Sequence, residues 1–126
     1  MMPQNSRSFS DALSSEPPRT SLGLVAYCFN QHRAARSENP ELPNFGLPSV
    51  FIEQAWRLGA GAVQIPFGVM VPEEIRRVRK LAAERRVHLE GMVSCPGSDG
   101  ALGRFEAELE TLRELGVRIA RTVVFP

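Results

Sequence analysis

AVQIPFGVMVPEEIRRVRKLAAERRVHLEGMVSC, residues 62–95, holds a strand, a helix and a second strand in succession, and its reading decides the fold. Residues 62–67 (AVQIPF) read as a strand in which Pro66, unable to donate to a ladder, is tolerable only near the end. Pro72 suits the first turn of a helix, where its missing N–H costs nothing. Glu73 and Glu74 fall in that first turn and Arg85 and Arg86 in the last, so the charges complement the helix dipole at both ends. Ile75, Val78, Leu81 and Ala82 mark the buried face. Residues 87–95 (VHLEGMVSC) form the next strand, and residues 96–100 (PGSDG) a turn. Two strands joined through a helix pair in parallel, because the crossover returns the chain to the end of the sheet where it began.

The same unit recurs on either side. Upstream, residues 22–29 (LGLVAYCF) are apolar without polar alternation, as expected for a parallel strand buried on both faces. Residues 30–47 are polar, with His32, Arg33, Arg36, two prolines and Gly46, and form a loop of a length usually found in functional or disordered connections. Pro48 then opens a helix, with Ser49 an alternative cap. Phe51, Ile52, Ala55, Trp56 and Leu58 make its apolar stripe, and Gly59 supplies the left-handed residue that ends it. Downstream, Leu102, Phe105, Leu109 and Leu112 recur at helical spacing, Gly116 stops that helix after Leu115, and residues 119–125 read as a fourth strand. Repetition every ~30 residues is the spacing of βαβ crossovers rather than of a short solenoid repeat. The expected fold class is α/β, with parallel βα repeats of about four strands and three helices.

The chain has 126 residues, 43% hydrophobic and 23% charged, enough for one domain with a sizeable core. Folding would bury roughly two-thirds of its extended surface. A formal net charge of +1, from interleaved acids and bases, gives no electrostatic reason to expect a nucleic-acid or anionic-membrane partner. No stretch approaches the ~20 apolar residues of a membrane span. Residues 1–20 are rich in Ser, Pro and polar groups without the hydrophobic core of an export signal, and are expected to be a disordered leader on a cytoplasmic protein. Cys28 and Cys95 lie in separate apolar runs and form neither a CxxC pair nor a Cys/His cluster. Buried small hydrophobes is the reading their setting favours, with a disulfide or a reactive thiol as the alternatives.

LGLVAYCF, the helix ending in RLGAGAVQI, the strand HLEGMVSCP and the closing LRELGVRIARTVVFP resemble the first half of xylose isomerase-like TIM barrels, the sugar phosphate isomerase and epimerase group. The markers are the pairs Leu58-Gly59 and Leu115-Gly116, each leading directly into a strand. The resemblance covers residues 22–125 and implies a partial, half TIM barrel, since a whole one has eight strands and ~250 residues. In that family a divalent metal, held by acidic residues and a histidine at the ends of later strands, supports proton transfer between adjacent carbons of a sugar. The sequence stops before those strands, so no metal ligand or catalytic residue carries over. The expectation is an N-terminal fragment or truncated form, inactive alone, facing a sugar or sugar phosphate. The alternative is a small binding or assembly module, a half-barrel that completes itself with another copy through its exposed sheet edges.

The strand ends and the loops after them line the site in such barrels. The resemblance therefore points to Tyr27, Phe29, Asn30 and His32 after strand one, Gln64 and Phe67 on strand two, and Ser94 and Cys95 on strand three. Gln64 stands where many relatives have a glutamate, a departure that removes a charge. His32, with Arg33 and Arg36 nearby, has the chemistry to meet a phosphate or carboxylate, though polar loops carry such residues by default. His88 falls at the N-terminal end of its strand, the end associated with stability. Glu90 lies inside an apolar strand, where a carboxylate must pair, reach water or take up a proton. It joins the substrate-facing set, with Arg121 a candidate ion-pair partner. Alternation puts His88, Glu90, Met92 and Ser94 on one side of the strand, and Leu89, Gly91, Val93 and Cys95 on the other. The basic run from Arg76 to Arg86 reads as a solvated outer face, Trp56 as core, and the PGSDG turn as a helix cap at Ser98 or Asp99.

Overall fold

A computed structural model describes residues 20–123. The expected leader, apart from Thr20, and the end of the expected fourth strand lie outside the described residues. In chain order the elements are β1 (Gly23–Val25), a 3-10 turn (Ala26–Phe29), α1 (Asn30–Glu38), α2 (Pro48–Arg57), β2 (Ala62–Ile65), α3 (Pro72–Arg85), β3 (His88–Met92), α4 (Asp99–Glu114) and β4 (Ala120–Arg121). The strands form one parallel sheet in the order β1-β2-β3-β4. The α/β class and the repeating βα unit are as the sequence indicates. Each strand joins the same growing edge, so the order never reverses as it does in a doubly wound sheet.

Side-chain alternation gives the sheet two unlike faces. On one, Val63, Ile65 and Leu89 are buried together with Phe51, Ile52 and Ala55 of α2, Ile75, Val78 and Ala82 of α3, and Leu112 and Leu115 at the end of α4. On the other, Ala62, Gln64 and Glu90 are only half-buried and His88 is exposed. The helices thus cover one face and leave the second open.

α2 and α3 begin as their prolines dictate, with Pro48 and Pro72 in the first turn and extended residues, Leu47 and Val71, ahead of them. Gly59 and Gly116 hold φ of 77° and 76°, the left-handed conformation in which a side chain is costly. α3 ends without a glycine, on Arg86 at φ 54°. Its acids and bases lie at the ends the dipole favours, and Arg77–Glu73 and Lys80–Glu84 pairs lace its exposed face. Arg85 ties α3 to α2 through two bonds to Glu53, at 2.8 and 3.2 Å. Its guanidinium also stands 3.9 Å from the ring centre of the half-buried Trp56, a cation–π contact.

Several expectations are corrected. The first strand is not an eight-residue buried run but three residues at the sheet edge. It turns into 3-10 geometry at Ala26, leaving Leu22 and Tyr27 72% and 54% exposed. The stretch expected as one loop contains α1, a fourth helix, over its first nine residues. α1 has no buried residue and is held instead by its connection to α2. His32 Nε2 lies 2.8 Å from the Pro43 carbonyl oxygen, Arg36 Nε donates to that of Leu42 at 3.1 Å, and Phe45 packs on both Phe29 and His32.

The buried side of α4 keeps only part of the expected stripe, Leu112 and the half-buried Phe105. Leu102 and Leu109 are 44% and 40% exposed, while Glu108, Thr111 and Leu112 are buried. Polar contacts make this possible: Thr111 Oγ1 accepts the Met70 N–H at 3.3 Å, and Glu108 accepts from Arg104 at 3.1 Å. Leu58 caps α2 and stays exposed rather than joining its stripe. Ser98 precedes α4 without a side-chain cap bond. Cys28 and Cys95 are free and exposed, not buried, because one sits on the 3-10 turn at the sheet edge and the other beyond the end of β3.

Gly91, on the covered face of β3, is packed against by Leu112 of α4. A Cβ there would stand 2.6 Å from Leu112 Cδ1 and 2.7 Å from its Cδ2. Gly91→Ala is expected to destabilise the fold by about 1–3 kcal/mol through overpacking. Urea unfolding checks this, and the loss should be less than additive with Leu112→Ala, which relieves the same clash.

Candidate functional site

The C-terminal ends of the strands open on a cleft of about 530 Å³. One wall comes from the 3-10 turn and the start of α1, with Tyr27, Asn30 and Arg33 recurring every third residue and so presented on one side. The opposite wall continues from β3 through Met92, Ser94, Cys95, Pro96 and Gly97. Arg121 and Val123 close the end beside β4, and Pro66 forms part of the floor. Arg121 owes its place to the sheet register, which pairs it with Met92.

Deeper along the open face, the register aligns Val25, Gln64 and Glu90 across β1, β2 and β3. Gln64 Nε2 donates to Glu90 Oε2 at 3.0 Å, and His88 Nε2 stands 3.9 Å from Glu90 Oε1. Glu90 therefore meets the need for a partner with a neighbouring amide and an imidazole on its own strand. The expected partner, Arg121, is one step further along, in the cleft.

Of the sequence-derived site residues, Tyr27, Asn30 and Ser94 are brought together in the cleft, with Cys95 beside them. Gln64 and Glu90 are brought together with each other on the sheet face. His32 lies apart, in a smaller cavity of about 210 Å³ between α1 and its following loop, with its ring on Phe45 and its Nε2 at the Pro43 carbonyl. Phe67 is buried in the core, and Phe29 packs on Phe45 and Phe51. Of the charged residues lining the cleft, Arg33 was expected beside His32 and Arg121 as an ion-pair partner of Glu90, and neither was expected here. For Arg33 the available signal was the three-residue spacing from Tyr27 and Asn30, hidden while that segment was read as a loop.

Among the described residues neither Arg33 nor Arg121 forms an ion pair, and no Asp, Glu or His lines the cleft. This donor set does not fit a hard divalent cation, which takes carboxylate and carbonyl oxygens. No group of three or more potential metal ligands occurs among the described residues. Outside the cleft, Arg113 and Glu110 pair on the exposed face of α4. There the hydrogen bond from Arg113 holds the Glu110 carboxyl below the usual carboxylate range, and Glu110 in turn raises Arg113. Among the described residues no helix is long and apolar enough to cross a membrane.

No family model, curated protein or solved structure matches the chain.

The Gln64–Glu90 bond favours a neutral amide at position 64: a glutamate there would set a second carboxylate against Glu90 across 3.0 Å. Gln64→Glu is expected to cost about 1–3 kcal/mol at neutral pH by removing a donor and adding like charge. The cost should shrink on acidification, as the pair takes up a proton and the hydrogen bond is restored. Unfolding free energies measured from pH 7 down to pH 4 check both the size and the sign.

Proposed function

We propose that residues 20–123 serve as half of a sugar isomerase or epimerase-like βα barrel, supplying one wall of the substrate pocket and none of its metal ligands. The observation that carries this reading is the arrangement of the sheet. Four parallel strands run in sequential order with helices on one face, and a cleft lies at their C-terminal ends. That end is where βα barrels gather their active-site groups. The open face, with its Gln64–Glu90 bond, supports the same reading, because the interior side of an incomplete barrel stays in contact with water. Tyr27, Asn30 and Ser94 offer hydroxyl and amide groups suited to a polyhydroxylated ligand.

The test is titration of the isotopically labelled chain with aldoses, ketoses and their phosphates, followed by amide resonances. Shifts confined to Tyr27, Asn30, Ser94 and their neighbours, with no aldose–ketose turnover when divalent metal is added, are expected. Metal-dependent turnover by this chain would sink the statement that it lacks the ligands. Shifts away from the cleft would sink the placement of the pocket.

A second reading, assembly with another copy of the chain, is favoured by two specific features. Leu102 and Leu109 expose an apolar stripe on α4, and among the described residues β1 pairs only with β2 and β4 only with β3. Two copies joined edge to edge would make eight strands and cover such edges. Light scattering after size exclusion decides it: a dimer supports the pairing, and a well-folded monomer at high concentration excludes it.

A further inference from the structure

We propose that the cleft at the strand ends is an oxyanion site, in which Arg33 and Arg121 together hold the phosphate or carboxylate group of a small organic ligand. The inference deepens the reading of this cleft as a substrate pocket and rests on it for the rest of the ligand.

The two arginines come from opposite walls. Arg33 projects from the first turns of α1, three residues after Asn30. Arg121 belongs to β4 and is placed by its register with Met92. What distinguishes them is their place in a cleft without acids, while several other arginines are already engaged. Arg36, one turn beyond Arg33, is spent on the Leu42 carbonyl. Arg77, Arg85, Arg104 and Arg113 are each bonded to a glutamate. Arg33 and Arg121 have no carboxylate partner among the described residues, and no acid lines the cleft. The nearest acid along β3, Glu90, is two residues before Met92 and already accepts from Gln64.

Two guanidiniums facing one volume without a counter-charge repel each other, and an oxyanion with two or more acceptor oxygens relieves that repulsion while using their paired donors. Asn30 and Ser94 add neutral donors. Tyr27, Met92, Val93 and Val123 supply apolar surface for the carbon skeleton. A volume of about 530 Å³ is that of a small-molecule site. The recognition is direct, between protein cations and the ligand anion, and uses no metal.

Calorimetric titration of the full chain with four probes tests the proposal: inorganic phosphate, an aldose phosphate, the corresponding aldonate and the neutral aldose. Arg33→Gln and Arg121→Gln are compared with Arg118→Gln, an exposed arginine outside the cleft. All three positions are exposed, so thermal melts should be unchanged. The expected result is binding of oxyanion-bearing probes that weakens about tenfold with each cleft substitution, not with the control, and falls as salt is raised. A neutral aldose bound as well as its phosphate, with the arginine variants unaffected, overturns the oxyanion site and leaves the sugar reading standing. Inorganic phosphate bound through both arginines, with no gain from an attached sugar, supports the oxyanion site and overturns the sugar reading. Failure of all four probes to bind overturns both. Between aldose phosphate and aldonate, the tighter ligand identifies the oxyanion.

Discussion

The pairing of Val63 with Leu89, and of Gln64 with Glu90, fixes almost everything else in this chain. Because side chains alternate across a strand, slipping β3 by one residue against β2 would exchange the two faces. Glu90 would pass under α2, α3 and α4, and Leu89 would enter water. Placing a carboxylate without a partner among Phe51, Ile52 and Val78 costs several kcal/mol, a large share of a typical domain's stability. Gly91 is locked by the same register, since it is the residue that lets Leu112 approach the sheet. Met92 follows, and it sets Arg121 in turn. The cleft is therefore a consequence of the central strand pair, reached through one further step of alternation.

The elements legible in the sequence are those whose ends and buried stripes agree. α3 has a proline start, acids then bases along its length, and Ile75, Val78 and Ala82 on one side, so backbone chemistry and packing point the same way. α2 and β2 share that consistency, with Pro48 and Gly59 marking the helix. α1 was not legible because it buries nothing: a helix without an apolar stripe carries no period to detect. It is secured by contacts from its side chains to the carbonyls of Leu42 and Pro43, which follow it in sequence but which no spacing rule links to it. α4 shows the opposite failure. Its leucines form a convincing stripe, yet Thr111 and Glu108 occupy the packed side because each finds a specific partner, Met70 N–H and Arg104. Hydrophobicity alone ranks those positions wrongly.

The site was legible in part for a related reason. Tyr27, Asn30 and Ser94, to which the resemblance to βα barrels points, share one cleft because parallel order brings the ends of β1 and β3 to the same side of the sheet. The expected pairing of Glu90 with Arg121 failed because it assumed that the nearest opposite charge on the neighbouring strand would be level with the acid. The register places Arg121 beside Met92 instead, while Gln64, on the other neighbour, is level with Glu90. The cysteines were misplaced by the same overextension of the strands: once β1 stops at Val25 and β3 at Met92, Cys28 and Cys95 fall on connections rather than in the sheet.

The open face has a gradient of character that bears on what it can meet. Near the strand starts it carries His88, then the Gln64–Glu90 bond, groups that tolerate water and are satisfied without it. Toward the strand ends Met92 and Arg121 stand level with each other, followed by Val123, with Arg33 on the opposite wall of the cleft. A sheet face destined for a dry core would show neither the carboxylate nor the arginines, and one destined only for solvent would have no use for Met92 and Val123 beside them. Crossovers of one hand, taken in unbroken order, put every covering helix on the opposite side. The face left over keeps water at one end and presents an apolar and charged recess at the other, so the topology that stabilises the domain is also what leaves a recess able to receive a ligand.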